Sequence, residues 1–284
     1  MSKKLTIAQP HGYCGGVMHA VKTLEDAIKD NKGPVYINHS IVHNSYLVKY
    51  FEGKNVIIEP DINVVPKGAT YILSAHGVSP SFKKKCEEKG LNIIDATCPL
   101  VSRVHKMAAD LADEEYAIFY IGKKGHQETL GTLGVAEMEI IEKLGDIESL
   151  DVEKYKGMKT TCLTQTTLSD RSTFHMISRL VEKFPKMKVN KNICNASQQR
   201  QEAVAKIANT TDYVVVLGSK NSSNSNSLVD TAREEGTPAD LYETVNDIPI
   251  DIYEKKSIGL TSGASVPEEM LAEVVAEFDK REGR

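Results

Sequence analysis

The sequence predicts an α/β fold made of three similar small lobes with parallel sheets, arranged around one central point. Short β-rich runs alternate with amphipathic helical runs along the chain, a pattern typical of parallel sheets. Cys14, Cys98 and Cys194 lie 84 and 96 residues apart, and each stands where a strand-like run gives way to a helix-like run. Each lobe would therefore contribute one thiol, with predicted boundaries at residues 1–97, 98–193 and 194–284.

Helices are predicted directly after the three cysteines. Pro99 suits the first position of a helix, and the helix after Cys194 is expected to begin near Ser197. Apolar residues recur at helical spacing and predict the inward faces, namely Val17, Val21, Leu24 and Ile28, then Leu100, Val104, Met107 and Leu111, then Ala203, Val204 and Ile207. The predicted strands are residues 35–38, 71–74, 117–121, 160–164, 213–217 and 257–261.

The composition argues against several functional classes. Lys and Arg number 35 against 39 Asp and Glu, and no basic stripe typical of a nucleic-acid-binding protein occurs. Trp is absent and Phe and Tyr are few, which argues against a surface for stacking bases. No apolar run approaches the roughly 18 residues of a membrane span. We therefore expect a cytoplasmic protein without a nucleic-acid or membrane partner, whose five cysteines are free thiols or metal ligands.

The position of the three cysteines favours metal binding or nucleophilic chemistry. A thiol just before a helix has its thiolate stabilised by the helix dipole. Three thiolates on a soft metal centre, zinc or an iron–sulfur cluster, leave one coordination position open. A fourth ligand from histidine, or no metal at all, is also compatible with the spacing. Cys86 and Cys162 lack this context, so we interpret Cys86 as an incidental helix residue and Cys162 as a core strand residue.

Polar side chains follow nearly every predicted strand, where ligands of parallel sheets bind. His43, His76 and His126 can donate hydrogen bonds to an anion, and the loop at 218–225 can present donors to a phosphate. Ordinary structural roles are about as compatible with the pattern. Ser265 fits a capping box with Glu268, for example. Glu128 is a candidate proton donor, although a solvated carboxylate is the commoner role of a glutamate.

Together these motifs resemble those of one family, 4-hydroxy-3-methylbut-2-enyl diphosphate reductase, the last enzyme of the non-mevalonate isoprenoid pathway. The matching segments occur in the family's order over nearly the whole chain. They are HGYCGGV (11–17), VHN (42–44), SAHGVS (74–79), DATCPLV (95–101), GHQE (125–128), TQTTLS (164–169), ICNAS (193–197), GSKNSSNS (218–225) and TSGASVP (261–267). Departures are small: Gly15 and Gly16 follow the first cysteine, and Asn195 and Ser197 follow the third.

The resemblance implies three α/β lobes in a pseudo-threefold arrangement around a central metal site. It implies a [4Fe–4S] cluster with one open iron, held by Cys14, Cys98 and Cys194. The implied ligands of the substrate's diphosphate are His43, His76, His126, Ser222, Ser223, Asn224 and Ser265. Glu128 and Thr166 would meet its hydroxyl end, and the implied catalytic residues are Glu128, Thr166 and His126. The implied reaction is reductive dehydroxylation to isopentenyl and dimethylallyl diphosphate, with a ferredoxin or flavodoxin as electron donor.

Two other functions are compatible with the residues alone. The first is a non-redox phosphoester-binding protein with a structural zinc site of three cysteines. The second is a hydrolase with a cysteine nucleophile, in which only one cysteine would be essential. Iron and sulfide in the purified protein would favour the reductase, and stoichiometric zinc would favour the phosphoester-binding protein.

Overall fold

The computed structural model describes residues 4–282 and has an α/β fold. The described chain forms two compact units. The first unit comprises residues 4–17, 43–47 and 194–282, and the second comprises residues 18–42 and 48–193. Nowhere in these residues is a helix both long and apolar enough to cross a membrane.

The regular elements follow in chain order. The strands are β1 Lys4–Ile7, β2 Val35–Ile37, β3 Val56–Ile58, β4 Thr70–Leu73, β5 Asn92–Asp95, β6 Tyr116–Ile121, β7 Glu139–Ile141, β8 Lys159–Thr164, β9 Lys188–Val189, β10 Tyr213–Leu217, β11 Ala239–Tyr242 and β12 Ser257–Ser262. The α-helices are α1 Gly15–Asp30, α2 Ser45–Glu52, α3 Pro80–Lys89, α4 Pro99–Asp113, α5 Gln127–Leu133, α6 Leu144–Glu148, α7 Asp170–Lys183, α8 Asn195–Ala208, α9 Ser223–Glu234 and α10 Glu268–Arg281.

The first unit contains one parallel sheet with the strand order β1-β12-β10-β11. All five residues of β10 are buried, as expected for a parallel strand covered on both faces. Successive side chains of a strand point to opposite faces. Val215 accordingly packs with Val274 of α10, whereas Val214 and Val216 pack in a second cluster with Leu228 of α9.

The second unit contains two parallel sheets, with the strand orders β3-β2-β4-β5 and β7-β6-β8-β9. In their central strands too, neighbouring side chains pack against helices on opposite faces of the sheet. Phe119 of β6 packs with Leu180 of α7, and Tyr120 packs in another cluster with Val104 of α4. In each sheet the parallel strands end at one common edge, and the loops described below start from that edge.

The predicted fold class, α/β with three parallel sheets, is confirmed. All six predicted strands are present, with bounds that differ by at most one residue at either end. The three-lobe boundaries near residues 97 and 193 stay a prediction. The strand pairing adds one feature that the sequence did not reveal, because β1, from the start of the chain, pairs with β12 near its end.

Several local expectations were wrong. The buried face of α1 is formed by Val17, Ala20, Leu24 and Ala27, whereas Val21 and Ile28 are only partly buried. Leu100 is exposed, and Val101 takes the inward position on α4. Helix α8 begins directly after Cys194 rather than near Ser197. Ser265 does not cap α10, whose N-cap is Pro267, because the Ser265 hydroxyl donates instead to the carbonyl oxygen of His43 at 2.9 Å.

Cys86 and Cys162 are core residues. Both are fully buried, Cys86 beside Tyr71 and Cys162 beside Phe119, and burial raises the pKa of the Cys162 thiol to about 11. The core strand role predicted for Cys162 is therefore confirmed. Cys86 lies on α3 as predicted, and it contributes to the core rather than being incidental.

We expect Cys162→Ser to lower the free energy of unfolding by about 1–3 kcal/mol, because the hydroxyl would enter an apolar cluster. Urea denaturation of the wild type and the variant measures this difference. Cys162→Ala is the control, since it removes the sulfur without adding a polar atom, and it should cost less than the serine variant. A serine variant as stable as the wild type would contradict the assignment to the core.

Candidate functional site

In the second unit, the carboxyl ends of β4, β6 and β8 lead into the loops that carry His76, then His126 and Glu128, then Thr166. His76 follows β4, and its ring lies edge-on to the rings of His39 and His126, with centroid distances of 5.7 and 5.9 Å. Ser74 Oγ is 3.2 Å from His76 Nδ1. The second unit therefore brings together two predicted histidines, His76 and His126, and adds His39, which was not predicted.

Gly77 lets this loop pass close to α4. Its φ is +75°, a conformation that L side chains rarely adopt. A Cβ at this position would also lie 2.9 Å from Cε1 of His105. Glycine is therefore required beside His76 for two independent reasons.

His126 is positioned to act as a neutral hydrogen-bond donor. It is the N-cap of α5, and the Glu128 amide donates to its Nδ1 at 3.2 Å. A neutral ring that accepts at Nδ1 carries its proton on Nε2. Burial, together with the smaller effect of the charges of Lys123 and His39, lowers the pKa of His126 to about 4. At neutral pH the ring is thus uncharged and can donate from Nε2.

Glu128 and Thr166 form a buried pair. The Thr166 amide donates to Glu128 Oε1 at 2.7 Å, and its hydroxyl lies 2.9 Å from Oε2. Glu128 is only 3% exposed, and burial raises the pKa of its carboxyl to about 7, although both hydrogen bonds from Thr166 act to lower it. Desolvation therefore prevails over the hydrogen bonds. The carboxyl can hold or release a proton near neutral pH, as a general acid requires.

Gln165 joins the two loops around this pair. Its Oε1 accepts from the Lys123 amide at 3.0 Å and from the Thr129 hydroxyl at 3.3 Å, while its Nε2 donates to Thr167 Oγ1. The side chain is fully buried. Sequence reasoning missed this residue, although its place next to Thr166 at a strand end was a signal that could have found it.

Cys98 lies close to the His76 loop. It is the N-cap of α4, and its amide donates to the carbonyl oxygen of Ala75 at 3.0 Å. Through this loop the second unit connects Cys98, His76, His126, Glu128 and Thr166.

In the first unit, Cys194 is connected to the serine-rich loop through Ser197. Cys194 caps α8, and its Sγ accepts from the Ser197 amide at 3.3 Å. The Ser197 hydroxyl then donates to Asn224 Oδ1 at 3.1 Å. Because Oδ1 is occupied, the orientation of the Asn224 amide is fixed and its Nδ2 remains available as a donor. The sequence did not assign Ser197 a function.

The serine-rich loop presents unsatisfied polar atoms at the N-terminus of α9. Ser222 is the N-cap and accepts from the Ser225 amide at 3.2 Å, and Ser223 begins the helix. Asn224 Nδ2 and Ser225 Oγ are buried, and no residue among 4–282 forms a hydrogen bond with either atom. Buried polar atoms are rarely left unpaired. Two of them at a helix N-terminus fit the binding of an anion.

Ser265 and His43 also meet in the first unit. The Ser265 hydroxyl donates to the His43 carbonyl oxygen, and Asn44 Nδ2 donates to the Ser265 carbonyl oxygen at 2.8 Å. Cys14 stands directly before α1, and its amide donates to the carbonyl oxygen of Ala264 at 3.3 Å. The first unit therefore brings Cys14, His43 and Ser265 together at the loop that follows β12.

The three predicted cysteine ligands differ from the other two cysteines in exposure. All five are free thiols, but Cys14, Cys98 and Cys194 are partly exposed at the starts of helices, whereas Cys86 and Cys162 are buried. Within the described part of the chain, no three His, Cys, Asp or Glu side chains are grouped to hold a single metal ion. An iron–sulfur cluster needs no such group, because its thiolates bind different irons. Thiolates are the usual ligands of iron–sulfur clusters, so the chemistry of these three donors is compatible with a cluster.

Comparison with known proteins points to one family. The model of the LytB protein family matches residues 5–279. The 4-hydroxy-3-methylbut-2-enyl diphosphate reductase of Haemophilus influenzae (strain PittEE) is 38% identical and is covered over 90% of its length, with 98% of this chain. The reductase of the same name from Rhodopirellula baltica is 40% identical, with 86% of its length and 96% of this chain covered.

A solved structure agrees with these matches. The E-1-hydroxy-2-methyl-but-2-enyl-4-diphosphate reductase from Plasmodium falciparum superposes with a TM-score of 0.95 at 37% identity. The superposition covers 98% of this chain and 89% of that chain. The fold and these matches place the chain in the class of α/β reductases. It belongs to the LytB protein family, the 4-hydroxy-3-methylbut-2-enyl diphosphate reductases. The resemblance found in the motifs is thereby confirmed.

The pKa values of Glu128 and His126 predict opposite effects of pH on stability. The raised pKa of Glu128 contributes stability that is present below its ordinary value of 4.5 and is lost as the pH rises through about 7. The lowered pKa of His126 contributes stability that is present above 6.5 and is lost as the pH falls through about 4. In the wild type the two effects largely cancel.

We expect the stability of Glu128→Gln to depend on pH through His126, because the opposing effect of the Glu128 carboxyl is removed. Between pH 4.5 and 7, the free energy of unfolding of the variant should rise relative to the wild type by ~3 kcal/mol. Urea denaturation across this range measures the difference. Glu137→Gln, which removes an exposed carboxylate from the same unit, is the control. Parallel stability curves for the wild type and Glu128→Gln would show that the Glu128 pKa is not raised.

Proposed function

We propose that this chain reduces 4-hydroxy-3-methylbut-2-enyl diphosphate to isopentenyl and dimethylallyl diphosphate with a [4Fe–4S] cluster. The observation that carries the proposal is the Glu128 carboxyl, buried, bonded twice to Thr166 and able to hold a proton near pH 7. Family membership supplies the substrate, because the relatives that match over nearly their full length carry the name of this reductase.

The reaction defines what the protein must supply. An allylic alcohol, two electrons and two protons give the alkene and water, so the C–O bond breaks and a C–H bond forms. No amino-acid side chain can deliver these electrons. A cluster held by Cys14, Cys98 and Cys194 would supply them, and its open iron would provide a Lewis acid. The side chains are left with binding, orientation and proton transfer.

We assign the proton of the leaving oxygen to Glu128. Protonation allows the hydroxyl to depart as water instead of hydroxide. Thr166 holds the carboxyl by its amide and hydroxyl, so the acid keeps one orientation. His126, whose Nδ1 accepts from the Glu128 amide, fixes the start of the same helix.

The diphosphate would be bound by hydrogen-bond donors without a group of lysines. We propose that His43, His76, His126, Ser222, Ser223, Asn224 and Ser265 bind it. Support comes from the unpaired Asn224 Nδ2 and from the neutral His126 ring, which carries its proton on Nε2. A phosphate oxygen accepts hydrogen bonds from all of these groups.

The electrons would come from a small redox protein, a ferredoxin or a flavodoxin. We place the enzyme in the cytoplasm, in agreement with five cysteines that all remain free thiols.

Glu128→Gln should keep the fold and substrate binding while turnover falls by about 10²–10⁴, the usual contribution of a general acid. Anaerobic assays with a chemical reductant, together with substrate binding followed by spectroscopy, separate the two effects. Turnover at the wild-type rate would refute the role of Glu128.

Turnover of the wild type should decline as the pH rises through about 7, because Glu128 loses its proton there. Thr166→Val removes one of the two hydrogen bonds that favour the carboxylate and should move this decline to higher pH. Thr160→Val, at a buried threonine of β8 in the same unit, is the control. A decline at the same pH in Thr166→Val and the wild type would argue against titration of Glu128.

Serine substitution of Cys14, Cys98 or Cys194 should each remove most of the iron and sulfide from anaerobically purified protein. Cys86→Ala and Cys162→Ala should retain both, since these side chains lie in the core. Metal analysis and absorbance measure the outcome. A colourless wild type with stoichiometric zinc would favour the phosphoester-binding protein, and a requirement for only one cysteine would favour the hydrolase.

A further inference from the structure

Arg200 is a buried cation without a carboxylate partner. Its side chain is on α8 and is only 3% exposed. Among residues 4–282, no Asp or Glu forms an ion pair with it, and its Nε has no hydrogen-bond partner. A buried charge is costly unless another charge compensates it. The guanidinium therefore needs a negative partner of another kind.

The two terminal nitrogens of Arg200 connect the segments that carry Cys14 and Cys194. One donates to the carbonyl oxygen of Gly12 at 2.8 Å, two residues before Cys14. The other donates to the carbonyl oxygen of Ala196 at 2.9 Å, two residues after Cys194. All of these residues belong to the first unit. A single side chain thus fixes both segments and places its charge between them.

The thiols are the available negative partners. Burial lowers the pKa of Arg200, and the charges of Cys14 and Cys194 act to raise it. The guanidinium is more weakly hydrated than an ammonium group and always charged, so it is suited to a buried position.

We propose that Arg200 is a positioning residue that supplies the compensating positive charge for the thiolate-bound cluster and raises its reduction potential. The inference rests on the proposed function, since it assigns a role toward the cluster. Uptake of one electron from an external one-electron reductant adds one negative charge to the cluster and requires no proton. A fixed positive charge nearby stabilises the reduced form more than the oxidised form, and it therefore favours electron uptake.

The test compares three variants with the wild type as anaerobically purified holoenzymes. Arg200→Gln removes the positive charge. Arg200→Lys keeps the charge but lacks the two terminal nitrogens that donate to Gly12 and Ala196. Lys206→Gln removes an equal charge from an exposed position of the same helix and is the matched control. Redox titration followed by electron paramagnetic resonance gives the potential of the cluster, and iron analysis gives its content.

Arg200→Gln should disfavour one-electron reduction at least tenfold, a shift of about 59 mV to lower potential. Arg200→Lys should stay close to the wild type, and Lys206→Gln should not differ from it. An unchanged potential in Arg200→Gln, or an equal shift in Lys206→Gln, overturns the inference. A structural role alone would alter iron content without moving the potential of the clusters that remain.

Two further outcomes are also decisive. If Arg200→Gln holds no cluster, Arg200→Lys decides: wild-type iron content and potential support the inference, and loss of the iron overturns it. A wild type that contains no iron–sulfur cluster overturns the proposed function and the inference together. A wild type with a cluster whose potential is insensitive to Arg200 overturns the inference alone.

Discussion

Burial of the Glu128 carboxyl is the constraint from which the second unit's site follows. A carboxyl group without water must find donors in the protein or keep its proton, and Glu128 does both. Thr166 must then stay in place, and Gln165 holds its loop against the loop of Lys123. Each unmade hydrogen bond at such a depth costs about 1–3 kcal/mol. The loops are therefore fixed by their own polar groups before any ligand binds.

The first unit also buries an ionisable group that needs compensation, but this group is a cation. Its buried charge is the cation Arg200, and its compensating groups are thiols instead of carboxylates. Hydrogen bonds lead from Cys194 through Ser197 to Asn224. Asn224 Nδ2 and Ser225 Oγ are buried, and within residues 4–282 neither atom has a hydrogen-bond partner. Such atoms are costly in the free protein and become favourable once an acceptor arrives. The unsatisfied donors of this unit thus suit an incoming anion.

The sequence predicted the central strands because they leave local signals, and it placed candidate site residues directly after them. Runs such as Tyr213–Leu217 are apolar throughout, and polar residues directly follow them. The edge strands were missed because they are short and mixed in character; β9 has two exposed residues. The role of Arg200 could not be predicted, since it depends on Gly12, a partner 188 residues away. Gln165 stands next to Thr166 at a strand end, but its contacts with Thr129 and Lys123, 36 and 42 residues away, leave no local signal. The capping role predicted for Ser265 was wrong. Its spacing to Glu268 fits a capping box, but its hydroxyl donates to the carbonyl oxygen of His43 instead.

His126 and Glu128 are two residues apart, and the same burial drives both toward their uncharged forms. Between about pH 4 and 7 these two side chains consequently carry little charge before an anion binds. A negative charge brought near them would raise both pKa values, since it stabilises protonated histidine and destabilises carboxylate. Binding of a diphosphate would thus favour the protonated form of Glu128, the form that a general acid needs. In the reaction that we propose, the substrate's own charge would help to keep the proton in place for the departing oxygen.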